Sequence, residues 1–446
     1  MNSGEGEITV IGLGRSGIAA TRLLRRAGAP VYASDAGRSP VLEGIAAGLR
    51  ALGATVELGG HDLERIARAA GCVVSPGVPP DAPPVAAARQ AGVPIRAEAE
   101  LGLEALSGVN YIAVTGTNGK STTTALIGHL LGRAGRRALA VGNLGTPLSD
   151  IALEPVKPEW LAVELSSFQL HDMQGVRPAV GVLTNLAPDH LDRYASLADY
   201  YADKRRFFRN ATAESLWVSN ADDPASRAML SGVAGRQLQF SVHTRADGWY
   251  DREADLLRLG EEPLLPRARL ALLGDHNVAN ALAAALAVRA TGVELTELAA
   301  GLGSFAALPH RMEPVGEVNG VLWINDSKAT NLASTEVALA ALSRPFVLLL
   351  GGRHKGEPYT RLAPLLRTRC RAVIAYGEAG PIVQRDLVDA GVPLVPAGSF
   401  EDVMARAREL AREGDAVLLS PACSSYDMFN NYEERGKRFR EIVQTW

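Results

Sequence analysis

Short apolar runs recur along the chain, and segments with helical spacing separate them. In the first hundred residues these runs cover Ile8–Ile11, 30–33, Thr55–Leu58 and 72–75. A run of four to six apolar residues is typical of a strand buried on both faces. Strands that alternate with helices in this way predict βαβ units on a parallel sheet.

The same alternation continues through the rest of the chain. Further strands are predicted at 161–165, Val180–Leu183, 321–324, 346–350, 372–376 and Ala416–Leu419. A long helix rich in Ala and Leu is predicted to follow His276-Asn277-Val-Ala-Asn280. Because 446 residues exceed one ordinary core, we predict an α/β protein with domains at 1–98, 99–307 and 308–446.

One turn in the middle of the chain has the composition of a phosphate-binding loop. An apolar strand runs into Gly116-Thr117-Asn118-Gly119-Lys120-Ser121-Thr122, and a helical pattern follows. Glycines let backbone N–H groups close around phosphate oxygens, and the helix N-terminus adds partial positive charge. Lys120 would reach the terminal phosphates of a nucleotide, and the Ser121 hydroxyl would bind Mg²⁺. The alternative is a chance Gly-Lys-Ser turn, which the strand before it and the helix after it disfavour.

The first predicted strand also leads into a glycine-rich turn. The run Gly12-Leu-Gly14-Arg15-Ser16-Gly17 has dinucleotide-fingerprint spacing, and Asp35 follows near the end of the next strand. A carboxylate at that position would accept a hydrogen bond from a ribose hydroxyl. The pattern favours a nucleotide-type ligand, and the alternative is a tight strand-to-helix turn that binds nothing.

Polar residues collect after five of the later strands, where ligands meet the carboxyl ends of parallel strands. Glu164 could complete a Mg²⁺ site with Ser121, since hard cations prefer carboxylate and hydroxyl oxygens. Its alternative is an exposed carboxylate at a strand end. Lys204, among basic neighbours, is typical of a solvated helix face. Thr330 or Asn331 could cap a helix. The clusters cover 164–169, 185–194, 325–331, 351–356 and 420–427.

Composition narrows the class of function. The chain is 47% hydrophobic and 5% aromatic, which suits α/β domains, and its net charge of −3 argues against a nucleic-acid binder. No signal-peptide pattern opens it, and apolar stretches such as 281–288 are too short to cross a bilayer. The three cysteines lack metal-ligand spacing and suit thiols in a reducing compartment. We expect a cytoplasmic monomer with neither a membrane nor a nucleic-acid partner.

Together these motifs resemble those of the Mur ligase family, ATP-dependent enzymes that form amide bonds in bacterial cell-wall precursors. The resemblance spans essentially the whole chain in the family's order. It rests on Thr115 to Ser121, Glu164-Leu-Ser-Ser, Asp189-His190, His276 to Asn280 and His310-Arg311. The runs Asp326-Ser-Lys-Ala-Thr-Asn331 and Ser420 to Ser425 resemble the branch that adds D-glutamate. The resemblance to the family implies a Rossmann-like N-terminal domain, a central phosphate-loop ATPase-like domain and a Rossmann-like C-terminal domain.

The resemblance also implies an activity and a role for each motif. The activity is ATP-dependent addition of D-glutamate to UDP-N-acetylmuramoyl-L-alanine through an acyl phosphate, in peptidoglycan precursor synthesis. The implied ATP contacts are Gly116, Thr117, Asn118, Gly119, Lys120, Ser121, Thr122, Asn277, Asn280, Arg311 and Asp326. The UDP-substrate contacts are Gly14, Arg15, Ser16, Asp35, Ser75, Gly77 and Asn143. The D-glutamate contacts are Lys328, Thr330, Lys355, Ser425 and Tyr432.

Two Mg²⁺ ions are implied as cofactors beside ATP. The implied metal ligands are Ser121, Glu164, His190 and Lys204, and the implied catalytic residues are Lys120, Glu164, His190 and Lys204. For Lys204 the resemblance implies a carbamate formed with CO₂. That modification turns an ammonium into a carboxylate-like oxygen ligand, which reverses the interpretation of Lys204 as a solvated basic residue.

Two other classes of function stay open on sequence. A nicotinamide-dependent oxidoreductase would explain the Gly12 to Gly17 turn and Asp35, but not Lys120-Ser121 or the polar loops of the last domain. A non-enzymatic, nucleotide-gated interaction module would need no dense polar clusters in that domain.

Overall fold

The computed structural model describes residues 6–189 and 194–446. Strands of these residues form three sheets with helices on both faces. The described chain divides into two compact units. One runs up to Arg267 and includes Ala279–Gly303, and the other comprises Ala268–Val278 and Ser304–Trp446. Within the described residues every helix is too short or too polar to cross a bilayer.

The first sheet is parallel, with strand order β3-β2-β1-β4-β5. Apolar clusters cover both of its faces, as the predicted buried runs require. The strand order reverses between β1 and β4, which is where open α/β sheets bind ligands. Its elements are β1 (Ile8–Ile11), α1 (Arg15–Arg26), β2 (Val31–Asp35), α2 (Pro40–Ala51), β3 (Thr55–Leu58), α3 (Leu63–Ala67), β4 (Gly71–Val74), α4 (Pro83–Gln90), β5 (Ile95–Ala97) and α5 (Glu98–Ala105).

The second sheet has the order β14-β13-β12-β11-β10-β9-β6-β8-β7, with an antiparallel edge formed by β12, β13 and β14. Strand β6, which precedes the phosphate loop, lies between β8 and β9. Its elements are β6 (Asn110–Thr115), α6 (Lys120–Arg133), β7 (Ala138–Gly142), α7 (Leu148–Leu153), β8 (Trp160–Glu164), α8 (Ser167–His171), β9 (Val180–Leu183), α9 (Leu197–Arg205), β10 (Leu216–Asn220), α10 (Pro224–Leu230), β11 (Arg236–Ser241), β12 (Gly248–Asp251), β13 (Leu256–Leu259), β14 (Glu262–Pro266), α11 (Asp275–Arg289) and α12 (Leu295–Ser304).

Helix α11 corrects one prediction. The helix was expected after Asn280, but it begins at Asp275, so His276 to Asn280 lie inside it. Gly274, at φ +80°, ends the preceding segment, and the carboxylate of Asp275 favours the helix N-terminus.

Two buried carboxylates of α5 join the first sheet's region to the second. The Ser149 N–H donates to Glu98 Oε1 at 2.7 Å, and the Gln174 N–H donates to Glu100 Oε1 at 2.6 Å. A buried carboxylate is costly unless its oxygens are hydrogen-bonded, so these contacts fix α5 against the central region. At Gly102 a Cβ would lie 2.5 Å from Leu148 Cβ, so close packing requires glycine there.

The third sheet has the order β15-β16-β20-β17-β18-β19 and is parallel apart from β15. Apolar clusters again cover both faces. Strand β20 lies between β16 and β17, so three of the predicted polar loops leave neighbouring strands at one edge. Its elements are β15 (Glu313–Val318), β16 (Val321–Asn325), α13 (Leu332–Ala341), β17 (Phe346–Gly351), α14 (Ala363–Leu366), β18 (Cys370–Tyr376), α15 (Gly380–Leu387), β19 (Leu394–Ala397), α16 (Phe400–Leu410), β20 (Ala416–Leu419) and α17 (Tyr432–Gln444).

Candidate functional site

The loop between β6 and α6 has a backbone that requires glycine at two positions. Gly116 has φ +140° and Gly119 has φ +81°. A Cβ on Gly116 would lie 2.0 Å from Thr184 Oγ1, and one on Gly119 would lie 2.3 Å from Asn280 Oδ1. Asn280, an expected ATP contact, therefore packs directly against this loop.

Residues after β9 hold the loop in place. The Thr117 N–H donates to the Asn185 carbonyl at 2.8 Å, and the Asn118 N–H donates to Asn185 Oδ1 at 2.9 Å. The Thr184 hydroxyl donates to the Asn118 carbonyl at 2.6 Å. The loop is therefore fixed by the neighbouring strand end rather than by its own sequence alone.

Helix α6 begins with Lys120, and Ser121 and Thr122 follow in its buried first turn. The Lys120 ammonium donates to the Thr117 carbonyl at 2.7 Å, which folds the lysine back along the loop. Gly119, the N-cap, gives the helix no side-chain capping bond. A helix start of this kind favours an anion, because its backbone N–H groups and dipole attract negative charge.

Glu164 ends β8 and pairs in register with Val114 of β6, two residues before Gly116. Its side chain is buried, so the alternative of an exposed strand-end carboxylate is wrong. Asn143 Nδ2 donates to Glu164 Oε1 at 2.9 Å, whereas the buried Oε2 has no hydrogen-bond partner in the described chain. A buried carboxylate oxygen without a partner is costly, and a hard cation would satisfy it. These residues therefore fit Mg²⁺.

Lys204 lies on α9 with 1% of its surface exposed, so its interpretation as a solvated basic residue is wrong. Its ammonium donates to the Gly116 carbonyl at 2.6 Å and lies 4.8 Å from the centre of the Tyr200 ring. Burial, reinforced by the nearby Lys120 charge, lowers the pKa of Lys204 well below its ordinary value, although Asp189 opposes the shift. Lys204 is therefore inclined toward the neutral amine.

His190, the other expected ligand of a second metal, lies outside the described residues. Within 6–189 and 194–446, no three His, Cys, Asp or Glu side chains gather into a metal site.

The seven expected UDP-substrate residues line one cavity of about 650 Å³ between the first and second sheets. Asp35 holds the glycine-rich turn there, because the Leu13 N–H donates to its Oδ2 at 2.7 Å and the Gly37 N–H donates to its Oδ1 at 2.8 Å. Asn143 lines the cavity and also donates a hydrogen bond to Glu164, so it connects the cavity to the carboxylate that fits Mg²⁺. His61 is a lining residue that the sequence analysis missed.

The expected D-glutamate residues pair with one another around the third sheet. Lys328 Nζ donates to the Tyr432 hydroxyl at 2.6 Å, and Lys355 Nζ donates to the Thr330 hydroxyl at 3.4 Å. Ser425 is buried in the loop after β20. Two cations and three hydroxyls thus come from neighbouring loops and the start of α17.

Three further expected ATP contacts have structural partners. The Ser420 hydroxyl donates to Asp326 Oδ2 at 2.9 Å, and the Met312 N–H donates to its Oδ1 at 3.1 Å. Burial raises the pKa of Asp326 to about 7, and the charge of Arg311 opposes the shift. Asn277 Nδ2 donates at 2.8 Å to the carbonyl of Leu273, which lies just before α11.

Asn331 caps α13, because its side chain accepts a hydrogen bond from the Ser334 N–H at 2.8 Å. The capping interpretation of Asn331 is thus confirmed.

Arg435 on α17 is a fully buried residue that the sequence analysis missed. Its Nε donates to the Ser327 hydroxyl at 2.9 Å, and its Nη2 donates to the carbonyls of Ser327 at 2.8 Å and Cys423 at 3.1 Å. It therefore ties the loop after β16 to the loop after β20. The one local signal is Gly436, since glycine inside a helix costs about 1 kcal/mol and needs a packing reason. A Cβ at Gly436 would lie 2.1 Å from His310 Nδ1.

Models of known domains match three stretches of the chain. The Mur ligase MurD-like N-terminal domain matches residues 6–97, the Mur ligase middle domain 114–288, and the Mur ligase glutamate ligase domain 310–423. The chain belongs to the Mur ligase family. The family predicted from the motifs and the three-domain α/β architecture are both confirmed, and the oxidoreductase interpretation is set aside.

Similar Mur ligases span nearly the whole chain. A UDP-N-acetylmuramoylalanine–D-glutamate ligase from Anaeromyxobacter dehalogenans is 43% identical, over 98% of this chain and 97% of the relative. A ligase of the same name from Myxococcus xanthus is 42% identical, over 98% of each chain. Among solved structures, a UDP-N-acetylmuramate-alanine ligase from Thermotoga maritima superposes with a TM-score of 0.63 at 20% identity, over 99% of this chain and all of that one. This last likeness shows the Mur ligase fold.

Proposed function

We propose that this chain uses ATP to join D-glutamate to UDP-N-acetylmuramoyl-L-alanine in peptidoglycan precursor synthesis, as a cytoplasmic monomer. Domain 1–98 binds the UDP-linked substrate, domain 99–307 binds ATP, and domain 308–446 binds the amino acid. The observation that carries the proposal is the unpartnered buried oxygen of Glu164 on the strand beside a glycine-constrained phosphate loop. The names of the full-length relatives support the choice of D-glutamate.

A carboxylate and an ammonium do not form an amide in water without activation. In the proposed reaction, a substrate carboxylate oxygen attacks the terminal phosphorus of ATP, which gives an acyl phosphate and releases ADP. The amine of D-glutamate then attacks the acyl carbon, loses a proton, and phosphate leaves with the bonding electrons. Lys120 offsets charge on the transferring phosphoryl group, where positioning and electrostatics supply most of the catalysis.

Ser121 and Glu164 would hold one Mg²⁺, and His190 with Lys204 would hold a second. When bound, Mg²⁺ supplies charge neutralisation at the phosphate oxygens. Burial lowers the pKa of Lys204 and so favours its neutral amine, which supports carbamylation because CO₂ adds to a neutral amine and displaces a proton. The carbamate keeps one N–H, so the hydrogen bond to the Gly116 carbonyl can persist.

The two carboxylates of D-glutamate need cations and hydroxyls, which Lys328, Lys355, Thr330, Tyr432 and Ser425 supply. In the cavity of the first unit, the start of α1 at Gly14, Arg15 and Ser16 suits the diphosphate of the UDP-linked substrate.

Phosphate release tests the proposal directly. Release should require ATP, UDP-N-acetylmuramoyl-L-alanine and D-glutamate together, with L-glutamate, L-alanine and a diamino acid as comparison substrates. Equal turnover with L-alanine or a diamino acid would overturn the assignment of D-glutamate and leave the ligase chemistry standing. Release that does not depend on the UDP-linked substrate would overturn the ligase reaction itself.

Arg435→Ala should impair both stability and use of D-glutamate. It leaves the carbonyls of Ser327 and Cys423 without their donor, so we expect about 3 kcal/mol of destabilisation. Because the loops after β16 and β20 then lose their common anchor, the KM for D-glutamate should rise while the KM for ATP changes little. Thermal unfolding and initial-rate kinetics measure these effects.

Arg438→Ala is the matched control on the same helix. Its exposed ion pair with Glu401, at 2.9 Å, should contribute no more than about 1 kcal/mol. Equal behaviour of the two variants would contradict an anchoring role for Arg435.

A further inference from the structure

One part of the cavity beside the first sheet is lined by residues outside the glycine-rich turn. The turn after β1 and the loop after β4 lie at the strand-order reversal, where a helix start suits phosphates. In that part the lining residues are Asp35 and Ala36, at the end of β2, and His61, in the turn after β3. Asp35 was expected to read the ribose; each of its oxygens accepts one backbone N–H group, which leaves an acceptor site on each for a hydroxyl. His61 is a second polar side chain on this side, and its Nδ1 alone is hydrogen-bonded within the described residues.

The structure holds His61 in one orientation. After β3, the Gly59 N–H donates to the Asp35 carbonyl at 2.9 Å and, less closely, to the Gly37 carbonyl at 3.1 Å. Gly59 has φ +79°, so the turn that returns the chain toward β2 favours glycine. On the far side, the Asp62 N–H donates to the Tyr32 hydroxyl at 2.8 Å. Hydrogen bonds made by the backbone before and after His61 thus fix its position.

The imidazole is also oriented through its own ring. His61 Nδ1 lies 2.8 Å from the hydroxyl oxygen of the fully buried Ser34, which fixes the ring plane. Its Nε2 makes no hydrogen bond within the part of the chain that the structure describes. Burial lowers the pKa of His61 below its ordinary value, although Asp35 and Glu57 oppose the shift. This shift favours the uncharged ring, in which Nε2 can donate or accept a hydrogen bond with an amide-like group.

We propose that His61 is a specificity-determining residue that hydrogen-bonds the pyrimidine base of the UDP-linked substrate through Nε2. This inference rests on the proposed function and names which part of the substrate the residue reads. Uracil suits the site because its edge carries both carbonyl acceptors and an N–H donor, so either neutral tautomer of His61 finds a partner. A neutral imidazole also suits an uncharged base, because a buried imidazolium would find no opposite charge on uracil.

Competition kinetics with UMP and with ribose 5-phosphate, which lacks the base, test the assignment. His61→Ala should weaken inhibition by UMP about tenfold, the worth of one good hydrogen bond, and leave inhibition by ribose 5-phosphate unchanged. The KM for the UDP-linked substrate should rise by a similar factor, without change in kcat or in the KM for ATP and D-glutamate. An equal loss for both inhibitors would overturn the base contact, because the contact would then be to ribose or phosphate.

Two further variants separate binding from structure. His61→Asn can keep the bond to Ser34 but has no atom where Nε2 lies, so it should behave like His61→Ala. His61→Gln reaches as far as Nε2 and should retain most of the affinity for UMP. If Asn restores affinity, His61 only supports the turn and the inference is wrong.

His243→Ala, at an exposed histidine outside the cavity lining, controls for loss of an imidazole and should match the wild type. A wild-type protein that binds neither UMP nor the UDP-linked substrate would overturn the proposed function, and this inference with it. Normal binding by the wild type with unchanged binding by His61→Ala would overturn this inference alone.

Discussion

Lys120→Ala should reduce turnover by at least about a hundredfold, the usual loss when a preorganised electrostatic group is removed from a reacting centre. Its effect on folding should be small. In the free protein the Lys120 ammonium donates a half-buried hydrogen bond to the Thr117 carbonyl, and such a bond contributes about 0.5–1.5 kcal/mol. The charge matters chiefly when the terminal phosphate of ATP carries developing negative charge. Phosphate release at saturating substrates and thermal unfolding measure the two effects separately.

Lys157→Ala is a matched control for this substitution. Lys157 lies in the same domain and donates to a backbone carbonyl, that of Ala152, at 2.6 Å, but it is remote in sequence from the phosphate loop. It should lose as little stability as Lys120→Ala and keep full turnover. Near-normal turnover in Lys120→Ala would refute the phosphate-loop assignment, whatever the control does.

Much of the fold was predictable because its strands are apolar on both faces. The predicted bounds of Val180–Leu183 and Ala416–Leu419 are those of β9 and β20, and every residue of the two strands is buried. The phosphate loop was predictable for a related reason. Gly116 and Gly119 have positive φ angles, which few residue types other than glycine adopt. The glycines in the sequence therefore predict the backbone conformation of the loop.

What the sequence could not provide depends on neighbours distant along the chain. Helix α9 reads as a polar, solvated helix, yet Lys204 is buried because its ammonium meets the carbonyl of Gly116, 88 residues away. The role of Arg435 was not predicted for the same reason, because its hydrogen-bond partners lie 108 and 12 residues away in the sequence. Asp35 was predicted as a ribose acceptor from its spacing, and only the folded turn reveals the two N–H groups that it already accepts.

Those distant contacts determine whether Lys204 can form the proposed carbamate. A helix face open to solvent would keep its lysine protonated, and a protonated amine does not add CO₂. At Lys204 the buried position and the nearby Lys120 charge both disfavour the ammonium. The same burial makes a charged guanidinium costly there. The tertiary structure, rather than the local sequence, therefore decides what chemistry this lysine can carry.

Lys204→Arg should lose at least about a hundredfold in turnover, as should Lys204→Ala, because neither can present a carbamate to a metal ion. The two variants differ in one respect. Alanine leaves a space that acetate or another small carboxylate can fill, so added acetate should restore part of the activity of Lys204→Ala. Arginine fills that space with a group that keeps its charge, so acetate should have no effect on Lys204→Arg.

A second readout does not depend on activity. Isotopically labelled CO₂ should give a carbamate NMR signal in the wild-type protein that is absent from both variants. Arg205→Ala, at the exposed neighbour on α9 whose guanidinium donates to the Met229 carbonyl at 3.0 Å, should keep the signal and the turnover. Wild-type activity in Lys204→Arg would show that the buried amine is only a structural contact for the Gly116 carbonyl. Acetate rescue without a carbamate signal in the wild type would point to a carboxylate site that lysine does not create.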